Sequence, residues 1–318
     1  MKKTVILLAL AAFALSAGAQ TKPDTKTTSA DSLMNALTAS TDKGEKVSAT
    51  FKASRLMLSQ TTEMIKKQNL NFLVIHRFGD IGGADGGSKI FWGLDNSSDI
   101  FIGFEYGVSD NFNIDFGRSK FEQLLELGLK WAVLHQTTDD SAPFNITLAG
   151  KVGLKPYVVT TGVFDDYSNR LNYYYEAIIS RKFSQSISLQ IIPSYLRNNL
   201  PYPLANGNEQ NIFALGVGGR IKVTKRSGLV FDYQHPFSNY RNNSTSPQFY
   251  DPIAVGWEIE TGGHVFTLNF SNAKAISEIN YLSDTESSWG KGQFRIGFTI
   301  SRMFDLSGRH KEKKEGSY

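Results

Sequence analysis

The stretch IFIGFEYGVSDNFNIDFGRS, residues 100–119, decides the fold class. Apolar side chains take alternate positions: Ile100, Ile102, Phe104, Tyr106 and Val108, then Ile114 and Phe116. Gly103, Glu105, Gly107, Asn113, Asp115 and Gly117 lie between them. Successive side chains of a strand point to opposite faces, so the stretch has one apolar face and one polar face. Ser109-Asp110-Asn111 between the two halves is turn chemistry, which makes the whole a β-hairpin. The class of protein then depends on which face meets water.

The alternation recurs in twelve segments, at 69–78, 99–108, 112–118, 123–135, 144–154, 171–183, 187–196, 211–224, 229–235, 252–260, 263–270 and 293–304. The fourth repeats Leu125, Leu127, Leu129, Trp131 and Val133, and the twelfth Phe294, Ile296, Phe298 and Ile300. The connections alternate in length. Those at 109–111, 136–143, 184–186, 225–228 and 261–262 are short, and those between them are long, with 119–122 as the exception. Short turns at one end and long loops at the other mark an outer-membrane barrel. An even strand number then leaves both termini at the short-turn, periplasmic end.

The opposite face carries Arg77, Glu105, Asp115, Glu126, Lys130, Lys151, Glu176, Arg220, Lys222, Asp232, Glu258 and Arg295, interleaved with small residues. A soluble barrel turns its apolar face inward. Here the bulky apolar residues suit the convex face and the small and charged ones a narrow lumen. The expected fold is therefore all-β: a closed antiparallel transmembrane β-barrel of about 12 strands with short periplasmic turns and long extracellular loops. The Ile/Phe face meets lipid, and the charged residues line the lumen. Phe78, Trp131, Tyr195, Tyr233, Trp257 and Phe304, near strand ends, form the expected aromatic girdles.

The N-terminus, MKKTVILLALAAFALSAGAQ, has a lysine pair, an apolar stretch too short to span a bilayer, and a small-residue cleavage site. It reads as a cleaved signal peptide over 1–19. Residues 20–46 read as a disordered periplasmic linker. Residues 47–68 are a pre-barrel segment, either an extra strand or a piece tucked against the barrel. The barrel occupies 69–304, and 305–318 is a charged periplasmic tail. The chain has no cysteine, which excludes disulfides, thiolate metal sites and lipoprotein acylation. Its formal charge of +4 falls to +2 without Lys2 and Lys3, too balanced for a nucleic-acid binder.

Four stretches carry a family resemblance: TFKASRLMLSQTTEMI (50–65), HRFGDIGG (76–83), WGLDNSSDIFIGFEYGVSDNFNIDFGRS (92–119) and SWGKGQFRIGFTISRMF (288–304). They resemble an uncharacterised family of Bacteroidota outer-membrane β-barrels of unknown function. The resemblance spans roughly residues 47–304. It implies a membrane-bound barrel in the outer membrane and supplies no ligand, reaction or functional residue.

No cofactor, catalytic or metal residue is assigned. Asp80, Asp85, Asp95 and Asp99 in the first long loop lack EF-hand spacing, and the glycines there suit a flexible loop better than a Ca²⁺ or phosphate site. His76, His135, His235 and His264 fall on the outward face near strand ends, where amphipathic residues sit at headgroup level. An outward Ser/His lipase site would need a serine in reach of an oriented histidine. His235 with Ser238 and His264 with Thr267 are only neighbours in sequence.

The expected partners are outer-membrane lipid, the barrel assembly machinery and a small polar solute. Three functions stay open: a narrow pore, a non-conducting structural or surface-interaction barrel with a salt-bridged lumen, and a barrel enzyme acting on lipid or peptide. A hairpin centred on Asp110 places Glu105 opposite Asp115. A next connection centred between Lys120 and Phe121 would place Asp115 opposite Glu126. Three carboxylates would then share one wall, with Lys130 and Lys151 beside them and Arg220, Lys222 and Arg295 on other walls. That array serves either a transverse field selecting charged solutes or a set of salt bridges plugging the lumen.

Overall fold

The twelve alternating segments form twelve strands in a computed structural model, which describes residues 44–156, 166–200 and 209–308. The chain divides into two units at Lys43/Gly44, and the first lies outside the described residues. The expectations of a signal peptide, of most of the linker and of most of the charged tail therefore fall outside them too.

The strands are β1 (Asn69–Asp80), β2 (Ser97–Ser109), β3 (Phe112–Ser119), β4 (Leu125–Leu134), β5 (Asn145–Leu154), β6 (Leu171–Lys182), β7 (Ile187–Asn198), β8 (Asn211–Lys222), β9 (Ser227–Phe237), β10 (Ile253–Thr261), β11 (His264–Ser271) and β12 (Arg295–Asp305). Each pairs antiparallel with its sequence neighbours, and β1 pairs with β12 to close the barrel. Closure leaves no open sheet edge. Among the described residues two short α-helices lie in long loops: α1 (Asn239–Asn243) and α2 (Glu278–Tyr281). The tightest turn, between β10 and β11, is two glycines at φ 31° and 117°. Positive φ is what a two-residue hairpin turn demands, and glycine adopts it without strain.

The faces are inverted relative to a soluble barrel. On β4, Leu127 and Leu129 are 57% and 50% exposed, whereas Glu126 and Lys130, which flank them, are 2% and 3% exposed. A belt of exposed apolar residues continues around the wall through Phe104, Phe116, Leu148, Phe213, Leu229, Trp257 and Leu268.

The core lies in the lumen. The 47–68 segment adds no strand to the barrel; it is tucked against the barrel on the inner side of the wall. Residues 50–66 form a finger inside the barrel. It starts from the β4–β5 turn, where Val47 N–H donates to the Gln136 carbonyl. It doubles back on itself through the antiparallel bridge Arg55↔Gln60 and leaves at Gln68, whose N–H donates to the Gly107 carbonyl. The 272–294 connection folds into the lumen from the long-loop end. Phe51, Leu56, Met57 and Leu58 of the finger and Ile279, Tyr281 and Leu282 of this loop share one apolar cluster with wall residues Leu124, Tyr174, Leu196, Ile212 and Val230.

The inward-facing glycines make room for these pieces. A Cβ on Gly218 would lie 2.7 Å from Leu56 Cδ1, one on Gly256 2.7 Å from Met57 Sδ, and one on Gly153 2.5 Å from Ile279 Cδ1.

Candidate functional site

The candidate site is the polar interior of the filled lumen. Period-two strands aim the charged residues inward, and the register sets their heights. Arg77, Glu105, Glu126, Lys130, Lys151, Glu176, Arg220, Asp232, Glu258 and Arg295 are all buried against the plug or each other. Asp115 is half-buried, and Lys222 is half-buried at the short-turn end of β8, away from the centre.

Glu105 pairs directly across from Asp115 as the hairpin argument requires. The expected pairing of Asp115 with Glu126 does not form. Asp115 faces Gly128, and Glu126 faces Gly117. The β3–β4 connection is not symmetric about 120/121, because Glu122 and Gln123 both take φ 53° there and move the register by two residues. All three acids still share the lumen face. Together with Arg55, Gln60 and Lys151 they line a space of about 10 Å³, room for roughly one water.

An ion-pair network ties wall, finger and loop together. Arg55 Nη2 of the finger donates to Glu278 Oε1 on α2 at 2.7 Å, and Lys151 Nζ of β5 reaches Glu278 Oε2 at 2.6 Å and Glu126 at 3.9 Å. Ser277, which caps α2 through Ile279 N–H, also donates to Glu126. Glu105 accepts from Ser54 Oγ (2.6 Å) and Asn71 Nδ2 (2.8 Å). Lys130 donates to the Glu63 carbonyl at 2.8 Å. Buried charge is stable only when paired and hydrogen-bonded. Here partners come from three separate parts of the chain.

Two further contacts hold the plug. Asp232 accepts from Leu58 N–H (2.9 Å), Ser59 N–H (2.8 Å) and Ser59 Oγ (2.9 Å), gathering the finger's tip. Arg77 donates to the carbonyls of Met57 (2.9 Å), Ala273 (3.3 Å) and Ala275, so one guanidinium joins finger and loop. Away from the centre, Arg220 pairs with Glu258 at 2.6 Å, and Arg295 pairs with Asp80 at 2.6 Å while donating to the Asn272 carbonyl. Glu176 accepts from Tyr174 Oη at 2.9 Å.

In the loop itself, burial pushes the Asp284 carboxyl up to about 6, with Glu286 adding to the rise and Lys274 opposing it.

The other sequence candidates have local roles. Asp99 accepts from Ser119 Oγ, Phe121 N–H and Ile276 N–H, so Asp99 and Asp80 are both engaged inside the barrel rather than in a loop cation site. His76 stacks on Phe298 and His264 on Phe266. His135 contacts Asn111 at 2.9 Å. His235 Nδ1 lies 3.0 Å from Asp251, which also accepts from Tyr233 Oη at 2.8 Å. Ser238 does not serve His235: its hydroxyl accepts from Arg241 N–H and caps α1.

Sequence reading missed Arg55, Ser277, Glu278 and Tyr281. A signal existed for the loop residues. Ala273, Ala275, Ile276, Ile279, Tyr281 and Leu282 are too apolar a set for a solvated loop.

Apolar outer wall, polar lumen and sheet without an edge define a β-barrel that crosses a membrane. The chain belongs to the family described as "Membrane bound beta barrel domain (DUF5777)", whose model matches residues 51–304 and so takes in most of the finger as well as the wall. Comparison with curated proteins found no matching sequence. Among solved structures the chain is similar to the NanC porin at 7% identity, covering 74% of this chain and 98% of that one, with a TM-score of 0.46. It is also similar to an outer membrane channel from Pseudomonas putida F1 at 10% identity, 76% and 98% coverage and a TM-score of 0.45. The KdgM porin follows at 6% identity, 74% and 98% coverage and a TM-score of 0.41.

Proposed function

We propose that this protein is an outer-membrane barrel that is closed at rest and passes small polar solutes only when its finger leaves the lumen. The short turns and both termini face the periplasm, the long loops face outward, and lipid and the barrel assembly machinery are its partners. A leader over residues 1–19 and the membrane-barrel family support that location.

The observation that carries the reading is the filled interior. The finger and the 272–287 part of the last loop occupy the space that a standing pore leaves to water. Behind the finger the wall is charged and hydrogen-bonding, the lining a polar solute needs. The finger is continuous with a strand only at β1, and its other end is held to the β4–β5 turn by hydrogen bonds, so it can be withdrawn without breaking the sheet.

Planar-bilayer recording separates this reading from its rivals. The full chain should show no steady current, and a variant lacking residues 50–66 should conduct. Steady current through the full chain would make it a standing pore. A folded deletion variant that stays silent would make it a structural barrel, a reading favoured by the number of hydrogen bonds that hold the finger.

A further inference from the structure

The seat of Arg55 says what class of solute the lumen takes. We propose that Arg55 occupies a binding site for a small organic cation bearing a guanidinium or amine, and that the finger holds this site as an internal stand-in. The inference rests on reading the finger as a displaceable plug.

The seat has the parts such a ligand requires. The Arg55 guanidinium donates to Glu278 at 2.7 Å, and its Cζ lies 5.9 Å from the centre of the Phe101 ring. Carboxylate and aromatic face together are the usual means of holding an organic cation. Glu105, Asp115 and Glu126 line the same space, with Leu73 and Gly103 flanking it as apolar walls for a methylene stem.

The charges are unequal. Three carboxylates line this space, Glu105, Asp115 and Glu126, and Glu278 reaches Arg55 beside it. The only lysine lining it is Lys151, which is already engaged with Glu278 and Glu126. Glu105 is satisfied by neutral donors, and among the described residues Asp115 has neither hydrogen bond nor ion pair. Without Arg55, the carboxylates at this one place outnumber the single lysine that lines it. The cation that answers them arrives on the finger, which runs into the closed sheet only through β1.

Arg77 shows the contrast. It is equally buried, but it stands on the wall and spends its donors on backbone carbonyls. That is how a structural staple is built. Arg55 also donates to one carbonyl, that of Leu58 in its own finger at 3.2 Å, but it meets the barrel and loop through carboxylate and ring, groups that do not require a peptide around the cation.

The test uses the full chain with Arg55→Ala, which removes the side chain beyond Cβ, the equivalent of ethylguanidinium. Thermal unfolding in detergent micelles is followed with millimolar ethylguanidinium chloride, with neutral ethylurea, and with sodium chloride at matched concentration. Ethylguanidinium alone should raise the unfolding temperature of the variant toward that of the parent, and it should leave the parent unmoved. Adding Glu278→Gln should raise the concentration needed by about tenfold or more. No response, an equal response to ethylurea, or a response unchanged by Glu278→Gln overturns the proposal. If Arg55→Ala does not refold unaided, refolding yield with and without ethylguanidinium is read instead, and a yield that stays at zero also overturns it. The measurement is made on the plugged barrel and needs no current, so it can fail where the conductance test succeeds, and the reverse.

Discussion

The lumen is filled by two pieces that differ in how they are supported. The loop piece is anchored by β11 and β12 at its two ends and largely organises itself. Ser277 caps α2, and Asn280, Tyr281, Leu282 and Asp284 all donate to loop carbonyls. The finger is attached to a strand only at β1. Apart from its own hairpin contacts and two to the loop, Arg55 with Glu278 and the Leu58 carbonyl with Tyr281, its polar groups lean on wall side chains: Asp232 for Leu58 and Ser59, Lys130 for Ser54 and Glu63, Gln190 for Ser59 and Gln60. One piece is part of the barrel's architecture, and the other is a guest of the wall. Only a guest can leave at moderate cost.

Deletion makes the sharpest test of that difference. Removing residues 273–284 should prevent the barrel from reaching its heat-resistant folded form, because Lys151, Asp99 and Arg77 lose partners while the finger remains. Removing 50–66 should leave a barrel that still folds, as judged by mobility in gels and circular dichroism. The opposite ranking would break the comparison. At the next level, Asp232→Ala withdraws the acceptor for three finger donors and should lower stability by about 3 kcal/mol in refolding titrations. It should also open residues 50–66 to added protease while leaving 272–287 protected. Gly256→Val places a branched side chain where Met57 Sδ sits, with its Cβ 2.8 Å from the Leu268 carbonyl, and should cost about 1–3 kcal/mol, felt at the finger and the adjoining β11 wall and not the loop.

The smallest effect belongs to the loop and depends on pH. The Asp284 carboxyl titrates at about 6 instead of its ordinary 3.8, so the folded state binds its proton more tightly than the unfolded state does. That contribution is whole below about pH 4 and is lost as pH rises through 6. Asp284→Asn should therefore melt higher than the parent at pH 8 and nearly with it at pH 4. A pH-independent difference would show that the Asp284 environment is not what shifts.

The wall was legible in the sequence because a strand's period is two and a one-residue slip would exchange lipid and lumen faces along its whole length. That is why β2 and β3 fall where the alternation puts them and why Glu105 meets Asp115. The Asp115–Glu126 pairing failed because loop backbone carries no such period, and the left-handed pair Glu122–Gln123 reset the register. The finger was invisible for a different reason. A segment enclosed on all sides by a mixed polar and apolar lumen needs no face, so Phe51, Leu56 and Leu58 alternate with Ser54, Arg55 and Ser59 in no order a helix or strand would impose. Arg55 and Glu278 lie 223 residues apart and meet only because two ends of the barrel deliver them to one place.

The seam between β1 and β12 also sets a timetable. The finger is spliced directly onto β1, while β12 is the last strand to leave the ribosome. Until these two zip together the lumen is a trough with one side open, and the finger can be laid into it sideways. Afterwards it could enter only end-on, dragging Arg55 and Met57 past the turns. If this seam is the last to close, its closure seats the plug, and every later exit or return, as conduction requires, runs end-on past the short turns.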